Sequence, residues 1–511
     1  MHPSAVSDSA LNSLPDRPGA RSLPLSITPA GDGLIWIEQT PGGRVLSVAA
    51  PSASPLLADF QGDPQPAPEG LGLLHCPLTA PNAQALRGAL SGLQPRPLGL
   101  ATSAGFGDRL GLATPGHVRA LRETLARRPG RAIAPLFAQQ SIREMTRTRR
   151  TPHAVLTDAT FGALAAGWTG PVGADADHLK SPEDIDACLA AGFSMFTFDP
   201  GAHVDPAADT DSPAALEQKL AALPWAELET SPDDLRRRFA DRLFDLGDRA
   251  LRIDPLELAR AAAKYGRAVA HVARLARHLD SRRPDYDLEI SVDETETPTS
   301  PAEHLYLAAE LARLGVRWVS LAPRFVGRFE KGVDYLGDTR ELAAQLSLHA
   351  AIARAVGAGP DRPYKLSLHS GSDKFSVYPL ICAATGGLVH LKTAGTSYLE
   401  ALRVFTTAEP DLFRQILDLG RACYDDDRRT YHVSARLDRV TAAADLNDAD
   451  LPALLDDFDA RQVLHVTYGS ALDRFGAEMH QALRRHETAY EQTLARHFGR
   501  HLEPFAAHAE S

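Results

Sequence analysis

The chain has 511 residues, 44% hydrophobic and 23% charged, with 54 basic and 65 acidic side chains giving a net charge of −11. That balance excludes wholesale disorder, because apolar surface is ample to offset chain entropy, and it excludes a generic nucleic-acid binder, which needs a basic face. Cys76, Cys188, Cys382 and Cys423 are too dispersed for a disulfide scaffold or a cysteine zinc site, and neither a signal peptide nor a membrane-spanning run is visible, so a cytoplasmic protein is expected.

Residues 1–22 are rich in Ser, Pro and Asp and read as a loose tail. Residues 23–95 read as a small β-rich module. In it, LIWIEQ and RVLSVAA are β-branched runs joined by a hairpin turn at Pro41-Gly42-Gly43. Pro and Gly punctuate 61–72 as a connector, and 80–93 follows as a helix with Asn82 as its cap.

From residue 96 the texture changes, and 96–511 reads as one catalytic barrel. Strand candidates fall at 97–103, 131–138, 171–177, 193–199, 286–293, 317–323, 364–370, 387–393 and 462–468, with helix patterns such as 117–127, 181–192 and 300–315 between them. In the last helix Ser300 caps, Pro301 fits the first position, Glu303 completes a capping box and Gly315 ends the run; Ser181-Pro182-Glu183-Asp184 opens another helix the same way. The stretch 205–285 is a mostly helical insertion. The expected fold is α/β, a (β/α)8 TIM-type barrel with a small N-terminal β-rich module and a helical insertion. A doubly wound sheet competes, but it calls for a glycine fingerprint and one switch point, whereas polar residues here end many strands.

Barrel enzymes place their chemistry at the C-terminal ends of the strands. Those ends carry Asp175, Asp177 and His178; Asp293, Glu294 and Glu296; Arg324, Arg328, Glu330 and Lys331; His369, Asp373 and Lys374; His390 and Lys392; and Gln139, Gln140 and Arg143. His with carboxylate can hold a divalent cation, and Arg or Lys can hold an anionic group. Together they describe a metal-assisted enzyme acting on a small polyhydroxylated acid. Lys392 follows His390 by two and shares its face, whereas adjacent Asp177 and His178 serve one site only if the strand turns there. His465, in VLHVTY, reads as a core residue. The glycines of GFGDRLG have the wrong spacing for a nicotinamide site, no P-loop, G-x-S-x-G or H-E-x-x-H is present, and Arg147–Arg150 reads as a helix end or solvated turn.

The segments GDRLGLATPGH (107–117), FAQQSIREMTRT (137–148), GADADHLKSPEDIDACLAAGF (173–193), SVDETETPTSPAEH (291–304), VRWVSLAPRFVGRFEKGVDY (316–335), YKLSLHSGSDKFSVYP (364–379) and GGLVHLKTAGTSYLEALR (386–403) resemble the tagaturonate/fructuronate epimerases. The resemblance spans most of residues 100–405, and the N-terminal 95 residues carry no comparable signal. It implies a barrel-like fold, dependence on a divalent metal (Mn, Ni, Zn or similar), and interconversion of D-tagaturonate with D-fructuronate in hexuronate catabolism.

These ketouronates differ at C4, which is not adjacent to the C2 ketone. Inversion therefore needs either retro-aldol cleavage of C3–C4 with re-addition, or a carbonyl shift through enediols. Both routes call for two acid/base groups, a metal and an anion clamp. Asp177 and Glu294 are assigned as the acid/base pair, His178, His369 and His390 as metal ligands, and Arg324, Lys374, Lys392 and Arg143 as binders of the substrate carboxylate. The expected partner is a small sugar acid, with no nucleic acid and no membrane; self-association is left open, since no interface motif points to it. The competing functions are a metal-dependent isomerase of a related ketose or sugar acid, and a non-catalytic sugar-acid-binding protein.

Overall fold

The computed structural model describes residues 19–357, 363–370, 372–393 and 395–508. Eight parallel strands close a barrel, numbered here β1 (Ser103–Gly105), β2 (Ala134–Ser141), β3 (Gly173–Leu179), β4 (Met195–Phe198), β5 (Asp287–Ser291), β6 (Ser320–Ala322), β7 (Lys365–Leu368) and β8 (Val389–Lys392). Each strand pairs with the next in sequence, and β8 returns to β1 through His390↔Ser103 and Lys392↔Gly105. Apolar residues of the strands and their crossover helices form one continuous core around the lumen.

The first strand candidate is displaced: pairing begins only at Ser103, and the preceding segment folds under the barrel, where Leu98 N–H and Gly99 N–H donate to the Asp287 carboxylate at 2.6 and 3.0 Å. The last candidate, 462–468, is not a strand. It falls on a helix, Phe458–Val466, whose first turn Asp457 caps by accepting from Ala460 N–H. Residues Asp459–Val466 are all buried, and a run buried on every side has no burial periodicity to separate helix from strand.

Ahead of the barrel lies a six-stranded antiparallel sheet built on the hairpin Gly33–Thr40 and Gly43–Pro51. Thr40 pairs with Gly43, whose φ of +118° is open to glycine at little cost. Ile35, Ile37, Leu46 and Val48 join the barrel's core, while Leu34, Trp36, Ala49 and Leu73 form a separate small cluster. Residues 1–18 of the expected tail lie outside the described residues; Arg21 and Ser22 are sheet members, paired with Gln39 and Glu38. Asp63–Pro64, within the expected connector, pairs with His75 and Leu74. Asn82 is not a cap: the helix Ala80–Ala89 starts after Thr79, and the buried Asn82 amide instead binds Gln61 N–H, the Gln61 carbonyl and the Pro77 carbonyl.

The insertion between β4 and β5 holds helices Pro213–Ala221, Pro232–Phe239 and Pro255–Arg282, with a short hairpin, Leu243–Asp245 and Ala250–Arg252, among them. Ser300 with Glu303, and Ser181 with Asp184, form the two capping boxes. Helices also follow β8 to the end of the described chain. The last, Glu487–Ala506, runs so close to helix Thr114–Ala126 that a Cβ on Gly116 would meet Leu494 at 2.6 Å. No helix among the described residues is long and apolar enough to cross a membrane.

Candidate active site at the barrel mouth

A β-bulge sets up the site. Between β3 and β4 the register runs Phe196↔Ala176 and then Phe198↔Leu179, so Asp177 and His178 together oppose Thr197. His178 takes φ +54°, the left-handed region, which bends the strand and brings both side chains to the lumen. His178 Nε2 then lies 3.7 Å from Asp177 Oδ1, while its Nδ1 is held by the Asp199 carboxylate at 3.3 Å. Opposite, on the turn after β7, His369 packs edge-on to His178 with ring centroids 5.2 Å apart. His369 Nδ1 faces Asp293 at 3.1 Å, and its Nε2 meets Glu289 Oε1 at 2.5 Å.

Beneath these rings the lumen is ionic. Lys392 Nζ lies 2.8 Å from Asp175, 2.7 Å from Asp177 and 2.9 Å from Glu289, and donates to Thr197 Oγ1 at 2.5 Å. Gln139 donates to the other Asp177 oxygen at 2.9 Å. Burial alone would raise all three carboxyls. At Asp177 and Glu289 the Lys392 ammonium and the nearby histidines outweigh it and hold the groups below the carboxylate range; at Asp175 burial prevails and the pKa rises to about 6. Burial would lower the imidazoles, but Asp177 and Glu294 push His178 up to about 10, and Asp293 and Glu289 push His369 up to about 9. The site therefore places strong negative potential at both rings, a setting for either protons or a cation.

Ligand atoms of Asp177, His178 and His369 lie within 4.8 Å of one another, as do those of His178, Asp199 and Glu294. A carboxylate on the far nitrogen of a histidine, as Asp199 on His178, is the usual support of a metal-ligating imidazole. Above them opens a pocket of ≈ 340 Å³, lined among others by Asp293, Glu294, Arg324, Arg328, Lys331 and His369, and on its far side by residues 430–434. Glu294 is gripped by Arg143 at 2.8 and 3.3 Å, and Arg143 lies over the ring of Tyr431. Buried Glu330 fixes the far wall, accepting from Ser434 N–H, Ser434 Oγ and Gln462 Nε2 at 2.9, 2.7 and 2.8 Å.

The family described as UxaE, tagaturonate epimerase, matches residues 32–505. The chain belongs to the tagaturonate epimerase family. It is 41% identical over 470 residues to the tagaturonate/fructuronate epimerase of Thermotoga maritima, covering 90% of this chain and 92% of that one. Its fold superposes on the native crystal structure of the fructuronate-tagaturonate epimerase UxaE from Cohnella laeviribosi with a TM-score of 0.86 and 34% identity, covering 95% of this chain and 96% of that one. A glycerol complex of the Cohnella laeviribosi enzyme gives a TM-score of 0.85 at the same identity and coverage. The match begins at residue 32 and so takes in the hairpin Gly33–Thr40 and Gly43–Pro51 of the N-terminal sheet, where the sequence showed a β-rich module but no family resemblance.

In this tagaturonate epimerase family member the residues singled out from sequence divide into three groups. Asp177, His178 and His369 converge. Glu294 and Arg324 line the pocket directly above, and Arg143 reaches it through Glu294. Lys392, His390 and Lys374 do not reach the pocket wall. Lys392 is spent on the three lumen carboxylates. His390 lies deeper in the barrel against Ser103 Oγ at 2.9 Å, where burial lowers it to about 3. Lys374 is buried behind the mouth, donating to the carbonyls of Glu330, Val333 and Ser372 at 2.8, 2.5 and 3.1 Å.

Glu289, Asp199 and the wall 430–434 escaped the sequence reading. Glu289 had a signal: a carboxylate in mid-strand, two residues from Asp287 and Ser291, must face the lumen and be paired there. Residues 430–434 had none, since nothing in the loop sequence TYHVS says which face of the barrel it covers.

Another His/carboxylate group, Asp373 with His497 and His501, fastens the last helix to the loop after β7. Part of its ligand capacity is spent internally, while Asp373 Oδ1 and His497 Nε2, 2.9 Å apart, make no hydrogen bond among the described residues. Arg461 donates to Asp373 Oδ2 at 2.9 Å, and Asp373 N–H donates to His501 Nε2 at 2.9 Å.

Proposed function

We propose that this chain interconverts D-tagaturonate and D-fructuronate by inverting C4, assisted by a divalent cation. Membership of the family supports the substrate, and the observation that carries the chemistry is the convergence of Asp177, His178 and His369 directly under a pocket lined by Asp293 and Glu294.

In this reading Asp177, His178 and His369 hold the cation, with Asp199 orienting His178. When bound, the cation would polarise the ketone oxygen and offset the charge of an enediolate. Proton transfer falls to the pocket's carboxylates. Glu294 stays ionised, because His178, Lys331 and Arg143 outweigh the burial that would protonate it, and an ionised carboxylate can accept the proton of the C4 hydroxyl. Asp293, next to His369, is the second proton-handling group. Asp177 is given to the cation instead of that role, because it lies among Lys392, His178 and His369 below the pocket, whereas Asp293 and Glu294 line the pocket itself. Retro-aldol cleavage and carbonyl shift draw on the same groups.

The test is a product assay. Purified protein is incubated with D-tagaturonate, with and without a chelator, and products are followed by NMR. Fructuronate formed only without chelator supports both the epimerase and its metal dependence. Fructuronate in both tubes removes the metal from the reading. No fructuronate in either tube, even after addition of Mn²⁺, Ni²⁺ or Zn²⁺, removes the activity.

A further inference from the structure

A sugar acid brings one carboxylate into the pocket, and that charge loses water as it enters, so a cation must meet it there. Most cations around the mouth are already engaged. Arg143 spends its fork on Glu294, Lys392 serves three lumen carboxylates, and Lys374 donates to three carbonyls. Arg328 is exposed and lies 3.5 Å from Glu330. Arg324 leans on the Asp293 carbonyl at 3.4 Å. Lys331 differs from all of these. It lines the pocket, is half-buried, and has no hydrogen bond or ion pair among the described residues.

The backbone on both sides of Lys331 is pinned. The Glu330 side chain is locked to Ser434 and Gln462. The Gly332 carbonyl accepts from Arg461 Nε at 2.6 Å. Lys374 Nζ bridges the Glu330 and Val333 carbonyls, the residues flanking the 331–332 pair. A flexible side chain is thus presented from a rigid base, which cuts the ordering cost of binding.

We propose that Lys331 is the anchor for the substrate's carboxylate, and that Lys374, one of the four residues the sequence suggested for this task, acts one step back as the brace of the Lys331 loop. The inference rests on the sugar-acid epimerase reading above. It sets the charged end of the substrate against the wall Lys331–Ser434 and leaves the reacting carbons over His369 and Glu294.

The test compares wild type with Lys331→Gln, Lys331→Arg and Lys331→Glu, each checked for an unchanged melting temperature. D-tagaturonate turnover is measured by steady-state kinetics, and D-tagaturonate binding by calorimetry, which needs no turnover. Loss of one charge-assisted contact predicts that Lys331→Gln raises KM and Kd about 10–100-fold with kcat within about threefold. Lys331→Arg should recover most of the loss, and Lys331→Glu should bind more weakly than Lys331→Gln. Binding by Lys331→Gln within about twofold of wild type overturns the inference, as does equal binding by the Gln and Glu variants or a fall in kcat at constant KM. The two readings fail differently. A wild type that neither binds nor converts D-tagaturonate sinks the function and this inference together, whereas an active wild type with an indifferent Lys331→Gln sinks this inference alone.

Discussion

Asp177 and His178 are neighbours in sequence and yet face one another across 3.7 Å in the same lumen, because a bulge places both opposite Thr197. On a regular strand their side chains would point to opposite sides of the barrel wall. The left-handed conformation of His178 costs on the order of 1–3 kcal/mol, and the Asp199 contact on its Nδ1 helps fix the ring in its working orientation. Replacing Asp199 by Asn should therefore weaken metal binding about 10–100-fold without unfolding the barrel. A metal titration of the two proteins measures this, and equal affinity would show that Asp199 does not support His178 as a ligand.

Glu294 and His369 line one pocket but have different assigned tasks. Glu294→Gln should abolish turnover and spare metal content; His369→Ala should lose both. Elemental analysis beside the product assay separates them. Full metal occupancy in His369→Ala would remove His369 from the ligand set.

Lys392 behaves as a strut of the lumen. Its ammonium is buried among Asp175, Asp177 and Glu289, and removing it would leave three carboxylates without their shared cation. Breaking a buried pair in this way costs about 3–5 kcal/mol. Lys392→Met should show that loss in chemical denaturation. A variant as stable as wild type but with a raised KM would instead return Lys392 to the substrate.

Glu330 ties the 430–434 wall to the pocket. Glu330→Ala leaves Ser434 and Gln462 without their acceptor, a cost of about 1–3 kcal/mol at a buried site. The expected result is a lower unfolding midpoint together with a higher KM for D-tagaturonate. An unchanged KM would mean that the wall does not shape the pocket the substrate uses.

Acid should destabilise the protein before most carboxylates titrate. Burial lowers His117 and His349 from 6.5 to about 4, and His390 and His501 to about 3. These groups bind protons more readily when unfolded, so their contribution is intact above pH 6.5 and drains as pH falls from 6.5 through 4. Each can remove up to about 1.4 kcal/mol per pH unit in that window. The guanidinium midpoint should drop as pH falls below 6.5; a flat profile from pH 6.5 down to pH 4 would contradict the buried neutral imidazoles.

The sequence by itself determined the barrel and the family. Seven of its strand runs fall on barrel strands in order, and capping boxes at Ser181 and Ser300 mark two crossover helices, because caps and short apolar runs are local and written into adjacent residues. It also marked Asp177, His178, His369 and Glu294, since a polar residue ending an apolar strand is visible without knowing its neighbours. Only the tertiary structure decided which cations are free. Lys374, Lys392 and Lys331 look alike in sequence, yet two are consumed by carbonyls and carboxylates that arrive from other strands and loops, and one is left facing the pocket. Such pairing depends on contacts between residues far apart in sequence, 215 positions for Lys392 and Asp177, and on a bulge that no single residue announces.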